Sequence, residues 1–157
     1  MKGKMTMHRL YETEDISVFW DSEKCRHAKR CVNGCPEAFD INRKPWINLG
    51  DAETAKIWKA VSNCPSGALT CVYNHEVRVV FEMQEHRSAA YYKDDRIGEC
   101  DFEETPQGWN LYHTEVDPAF EGKGIAKRLV YCVLSEAERS KADISASCSY
   151  AAKILNQ

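Results

Sequence analysis

Four cysteines in the first half of the chain, Cys25, Cys31, Cys35 and Cys64, constrain its fold more than any other feature. Two are followed by proline, as Cys35-Pro36 and Cys64-Pro65. The spacing approaches the iron–sulfur run C-x2-C-x2-C-x3-C-P, which takes one further ligand from far along the chain. On that template Cys25, Ala28, Cys31 and Cys35-Pro36 fall in register. The second slot holds Ala28, whose side chain has no donor atom. In two-cluster arrangements the C-P cysteine closing one run serves the other cluster, and no second run precedes Cys64. Three firm ligands follow: Cys25, Cys31 and Cys64. Three thiolates suit a 3Fe-4S cluster, or a 4Fe-4S cluster whose fourth iron takes another ligand. Cys35 and His27 are the local candidates for that place. Cysteine is needed because iron in such clusters is held by soft, anionic sulfur.

The rest of the composition agrees with a metal centre in a reducing compartment. The chain has 157 residues, a length that suits one ordinary domain or two small ones. Eight cysteines could make four disulfides in a secreted protein. However, the N-terminal MKGKMTMHRL has no apolar core of the kind a secretory signal needs. A cytoplasmic location is therefore expected. No apolar run approaches the roughly 20 residues of a membrane span. Residues 1–75 hold 11 Lys and Arg against 9 Asp and Glu, and residues 76–157 hold 10 against 15. Neither half is basic enough to make nucleic acid the main partner.

In the first half, residues 16–20 read as a short strand, Asp51 can cap a helix over about 52–62, and residues 69–73 read as another strand. A domain of some 70 residues buries only a modest core, which a cluster would staple. Lys24, Arg26, Lys29 and Arg30 around the cysteine loop could offset the cluster's negative charge. This half resembles the divergent single-cluster ferredoxin family. The resemblance covers roughly residues 15–73. It rests on Cys25-Arg26-His27-Ala28-Lys29-Arg30-Cys31, Ala38-Phe39-Asp40, Lys44-Pro45-Trp46-Ile47 and Cys64-Pro65-Ser66-Gly67-Ala68-Leu69. It implies His27 as a fourth ligand and leaves Cys35 optional.

The second half changes pattern. Residues 76–81, 87–93, 96–103 and 109–116 read as strands of an antiparallel meander, with turns at Asp94-Asp95 and Pro106-Gln107-Gly108. Asp117 to Ala126 then form a loop, and Ile125, Leu129, Val130, Val133, Leu134 and Ala137 mark one face of a helix reaching about Ser140. Residues 143–148 read as a fifth strand ending in Cys148, followed by a short helix. Gly122 and Gly124 lead from a strand into a helix N-terminus, where backbone N–H groups and the helix dipole favour an anion. Glycine lets a phosphate come close to the backbone. The expected ligand therefore carries phosphate.

The order of these parts resembles the GNAT N-acetyltransferase superfamily, and most closely its small, single-motif branch. The resemblance is carried by His113-Thr114-Glu115-Val116-Asp117-Pro118-Ala119-Phe120-Glu121-Gly122-Lys123-Gly124-Ile125-Ala126, with Cys148 after the fifth strand. It implies that the loop amides of Glu121, Gly122, Lys123, Gly124, Ile125 and Ala126 bind the pyrophosphate of acetyl-CoA. It also implies that the backbone at Val116 meets the pantetheine arm and that Cys148 lies near the thioester. A thiolate there could accept an acetyl group. His113 and Glu115, two apart on one strand, share a face and could polarise a thiol or an amine.

The expected architecture is α+β. A ferredoxin-like iron–sulfur domain over 1–75 precedes a minimal GNAT-like domain over 76–157, an antiparallel sheet with a phosphate-loop helix. Two functions fit this order. One is an acetyltransferase taking acetyl-CoA and an amine acceptor, with an attached cluster. The other is a redox or sensing module that serves a partner protein and whose second domain only binds CoA or a partner. Ala28 in place of a fourth regular cysteine counts against simple electron transfer.

Overall fold

The computed structural model describes residues 8–24, 30–50 and 52–155. The chain divides into two compact units between Tyr73 and Asn74.

The first unit is built on a three-stranded antiparallel sheet of β1 (His8–Glu12), β2 (Ile16–Asp21) and β3 (Leu69–Tyr73), in that order. β2 is the middle strand and is buried along its whole length. Its partners come from opposite ends of the unit, so the sheet closes a loop of nearly fifty residues. Two helices lie in that loop, α1 (Arg30–Gly34) and α2 (Thr54–Ser62). Helix α2 sets Ile57, Ala60 and Val61 into a core with Val18, Trp20, Cys35, Phe39, Ile47 and Leu69. A side-chain carbon added at Gly34 would lie 3.2 Å from Ala60 Cβ, so glycine lets α1 sit directly on α2. The segments Ala38-Phe39-Asp40 and Trp46-Ile47 pair with each other through a Phe39↔Ile47 bridge and an Asp40 N–H to Trp46 carbonyl bond of 2.8 Å. Trp46 then packs edge-on to Trp20, with ring centroids 5.0 Å apart.

Two local expectations need correcting. Helix α2 starts at Thr54 with Glu53 as its N-cap, whereas Asp51 lies outside the described residues. The strand β1 was not anticipated, because His8-Arg9-Leu10-Tyr11-Glu12 shows no apolar–polar alternation.

The second unit is a five-stranded sheet in chain order: β4 (Val77–Glu82), β5 (Arg87–Tyr92), β6 (Asp95–Thr105), β7 (Gly108–Val116) and β8 (Ile144–Ala146). The first four strands are antiparallel. β8 joins β7 in parallel, which makes the sheet mixed rather than wholly antiparallel. The β5–β6 turn is Lys93-Asp94, one residue earlier than the sequence suggests. Lys93 takes the left-handed conformation there, with φ of 55°, and Asp95 already pairs with Tyr92.

Helix α3 (Ile125–Arg139) covers one face of the sheet, and α4 (Ser149–Leu155) follows β8. Leu129 Cδ1 lies 3.2 Å from where a side chain on Gly98 would begin, and Ser88 Oγ donates to the Leu129 carbonyl at 2.7 Å. Buried Arg128 donates from Nη2 to the Val77 carbonyl at 2.9 Å, which ties α3 to the start of β4. The face toward α3 therefore includes Ser88, Gly98 and Cys100, together with Thr114 opposite Cys100. Strand alternation puts Glu99, Asp101, His113 and Glu115 on the other face.

Candidate functional site

In the first unit, Cys64 follows the end of α2 and opens the turn Pro65-Ser66-Gly67. Its sulfur lies 3.7 Å from Ser66 Oγ. Gly67 has φ of +74°, a left-handed conformation that glycine takes without strain. The turn aims backbone N–H groups back at the sulfur. Burial alone would push the Cys64 thiol up. The Leu69, Ser66 and Ala68 backbone and the Ser66 hydroxyl outweigh that effect and hold it below the ordinary thiol value. A thiolate stabilised by amide donors is the form that iron requires, so this part of the donor set fits a cluster.

Cys35 is fully buried in the apolar core, and its carbonyl accepts from the N–H groups of Ala38 and Phe39. Cys31 lies on α1. Cys25 and His27 lie outside the described residues, as do Arg26 and Lys29. Lys24 Nζ is 3.9 Å from Asp21.

In the second unit, the β7–β8 ladder begins at Trp109↔Ile144 and ends at Leu111↔Ala146. It ends there because Ser147 and Cys148 both turn their N–H groups onto the Leu111 carbonyl, each at 3.0 Å. The chain then enters α4, and β7 continues past the end of the ladder from Tyr112 to Val116. Five residues of strand extend about 16 Å. This edge leads to Asp117, whose carboxylate accepts from the Ala119 N–H at 2.9 Å within a single 3-10 turn, Pro118–Phe120. The loop follows, with Gly122 at φ +78° and Gly124 at φ +75°. Gly124 is the N-cap of α3 and offers no side-chain cap, so the first N–H groups of the helix are not capped by it. Nothing lies within 4 Å of the point where a Gly122 side chain would begin. Glu121 to Ala126 thus form a backbone-lined approach to a helix N-terminus, at the end of a strand edge.

Cys148 sits at the other end of that edge, where α4 begins. Its sulfur donates to Thr114 Oγ1 at 3.5 Å, and Thr114 in turn donates to Cys100 Sγ at 3.5 Å. Burial pushes the Cys148 thiol up, but the Thr114 hydroxyl and the backbone of Ala151, Tyr150 and Thr114 more than reverse it, leaving the thiol below its ordinary value. Burial dominates at Cys100 and pushes it up to about 12.

His113 and Glu115 lie on the opposite face, with Nε2 and Oε1 3.7 Å apart and both side chains largely exposed. The structure brings them together with each other, and it brings Cys148 together with Thr114. Asp101, the register partner of His113, is pushed up to about 7 by burial and by neighbouring Glu99, against the opposing pull of His113 and Arg87. The sequence gives no role to Thr114, Asp101 or Glu99, and there Cys100 reads only as a structural cysteine in a strand. Only the β6–β7 register, with its shift between Asp101 and Phe102, places them.

A paired three-stranded unit with a sulfur-directed turn, followed by a mixed sheet with a glycine loop at the head of its main helix, defines an iron–sulfur domain joined to an acetyltransferase fold. Residues 11–74 match the family model for a divergent 4Fe-4S mono-cluster, and residues 81–157 match that for a GCN5-related N-acetyl-transferase. The chain belongs to the divergent 4Fe-4S mono-cluster family through its first unit and carries a GCN5-related acetyltransferase domain as its second. The first unit is similar to the uncharacterized protein YjdI of Escherichia coli strain K12. The two are 38% identical over 69 residues, which is 44% of this chain and 88% of that protein. YjdI of Escherichia coli O157:H7 matches to the same extent.

Among solved structures, Naa50 of Arabidopsis thaliana in complex with the bisubstrate analogue CoA-Ac-MVNAL is 25% identical, with a TM-score of 0.33 over 46% of this chain and 54% of that one. A GCN5-related N-acetyltransferase from Sphaerobacter thermophilus is 15% identical, with a TM-score of 0.38 over 90% of this chain and 40% of that one. Among the described residues, no helix is long and apolar enough to cross a membrane.

Proposed function

We propose that this protein is an acetyl-CoA-dependent N-acetyltransferase whose catalytic unit is joined to a 4Fe-4S domain. The observation that carries the reading is the continuity between the β7 edge and the Gly122–Gly124 loop at the head of α3. The backbone N–H groups from Glu121 to Ala126 bind the pyrophosphate, where the helix dipole adds to the attraction. The pantetheine arm extends along β7 past Val116, and the thioester comes to rest near Cys148.

An amine attacks the thioester carbonyl, directly or after the acetyl group has passed to the Cys148 sulfur. A C–N bond forms, the C–S bond breaks, and the departing sulfur takes up a proton. His113 and Glu115, exposed on the other face of β7, take the proton that the amine gives up.

In the first unit, Cys25, Cys31 and Cys64 hold the cluster, with Cys35 or His27 as the fourth ligand. When bound, the cluster supplies one-electron chemistry, which would serve a redox partner protein. The chain's own contribution there is the turn whose backbone and Ser66 hydroxyl lower the Cys64 thiol and so favour its thiolate.

The test is to incubate the cluster-loaded, full-length protein with acetyl-CoA and a panel of amines: polyamines, free lysine and peptides with free N-termini. Acetylated amine and released CoA are then quantified by liquid chromatography and mass spectrometry. Amine-dependent release of CoA matched by acetylated product is expected. Absence of acetylated product across the panel, in a preparation that binds acetyl-CoA, would leave only a binding domain.

A further inference from the structure

Three side chains run in a line across the α3 face of the sheet at the point where β8 leaves β7. They are Cys148 at the start of α4, Thr114 on β7 and Cys100 on β6. Each sulfur is 3.5 Å from the same hydroxyl, Thr114 Oγ1. Cys100 is fully buried and Cys148 is half-buried.

We propose that Thr114 and Cys100 are positioning residues that form a hydrogen-bond relay able to reverse onto Cys148 and so favour its thiolate, the state in which it can accept an acyl group. The proposal rests on the acetyl-transfer reading for its purpose, but the relay itself needs no ligand.

The chemistry follows from the donors each group has. A hydroxyl has one O–H to give and two lone pairs to accept with. While Cys148 is a thiol, its S–H points to Thr114 and the Thr114 O–H points to Cys100. When Cys148 releases its proton to solvent, the hydroxyl rotates so that its O–H points at the new thiolate. Its freed lone pair then accepts from the S–H of Cys100. The relay reverses without breaking, provided that Cys100 keeps its proton. Burial makes Cys100 the thiol that does so, because a charge there would be far from water.

Tyr150 and Lys153 lie on α4. Glu99 and Asp101 flank Cys100 on β6, His113 and Glu115 flank Thr114 on β7, and all four point to the opposite face of the sheet. On α3, Arg128 is turned to the Val77 carbonyl. The remaining donors to Cys148 are the backbone groups of Tyr150, Ala151 and Thr114. The relay therefore competes with an alternative in which these backbone groups, of α4 and of Thr114 itself, set the thiol.

The test is the pH dependence of alkylation of Cys148 by iodoacetamide in the full-length, cluster-loaded protein. Tryptic peptides separate Cys148 from every other cysteine. In the wild type the alkylation midpoint should fall below the ordinary thiol value of about 8.5. Thr114→Val keeps the shape of the side chain but removes the hydroxyl, and it should raise the midpoint by about one pH unit. Thr114→Ser should restore it. Cys100→Ala, which removes the far donor, should raise it by a smaller amount.

An unchanged midpoint in Thr114→Val would assign the lowered thiol to backbone groups alone and overturn the proposal. Failure of Thr114→Ser to rescue would overturn it as well, because a packing defect would then explain the shift. Loss of acetyl transfer with the alkylation series intact would count against the proposed function and leave the relay standing.

Discussion

Gly122→Ala separates the two demands made on the loop before α3. Gly122 has φ of +78°, and no atom lies within 4 Å of the point where the methyl would begin. The fold therefore has room for alanine, and the stability cost is only that of a left-handed conformation, about 1–2 kcal/mol. In a unit of this size that should lower the melting midpoint by roughly 4–8 °C for each kcal/mol. The same methyl occupies the space through which a pyrophosphate would approach the backbone. Losing one hydrogen bond to a charged group costs about 1.5–3 kcal/mol, which is roughly a 10- to 150-fold weaker Kd.

Calorimetric titration with acetyl-CoA and thermal melts of the same preparation measure the two effects side by side. Gly67→Ala is the matched control. Gly67 has φ of +74° and equally open surroundings, but it lies in the other unit. It should carry the same kind of backbone strain and leave the Kd for acetyl-CoA unchanged. The reasoning fails if Gly122→Ala binds acetyl-CoA like wild type, or if Gly67→Ala weakens binding as much.

The remaining predictions concern the cluster, the sheet and a carboxylate. Cys31→Ser and Cys64→Ser should each lower iron and acid-labile sulfide content more than Cys35→Ser does; equal loss in Cys35→Ser would make Cys35 the fourth ligand. Gly108→Ala would place a methyl 2.2 Å from the Asp143 carbonyl oxygen at φ of +129°, where β7 meets the approach to β8. It should destabilise the second unit by more than about 3 kcal/mol, seen as a lost or strongly lowered melting transition; a wild-type transition would refute it. Asp101 is pushed up to about 7 in the folded state, whereas an unfolded aspartate titrates near pH 3.9. The folded state therefore holds the extra proton, and wild-type stability should fall as pH rises from about 4 through 7. Asp101→Asn should flatten that slope; an unchanged slope in chemical denaturation would show that other groups set it.

Local pattern made much of the fold legible. Four strands of the second unit and helix α3 lie within one or two residues of their expected places, because turn residues and apolar periodicity mark their ends. The motifs 38–40 and 44–47 stood out as words of a family, but only the structure makes them partners across the Phe39↔Ile47 bridge. β1 stayed hidden because its pairing is set by β2 rather than by its own sequence. The pattern predicts a strand over 143–148, but β8 ends at Ala146, since the two N–H groups that follow it bond to Leu111, a residue more than thirty positions earlier.

The same reason limited the reading of the site. His113 and Glu115 share a face by simple alternation, and the structure keeps them together. The residue between them, Thr114, meets Cys148 and Cys100 from two other elements, a meeting that depends on strand register. Asp101 carries no sequence signal for the same cause: its raised proton affinity comes from burial and from Glu99 on the strand face they share.

The central claim is that the second unit binds acetyl-CoA through the 121–126 loop. Calorimetric titration of acetyl-CoA into the full-length wild type and into Gly124→Glu tests it most directly. Saturable one-to-one binding is expected in the wild type and none in the variant, with both proteins showing the same melting transition for the first unit. Absence of binding in a folded, cluster-loaded wild type, or undiminished binding in Gly124→Glu, would contradict it.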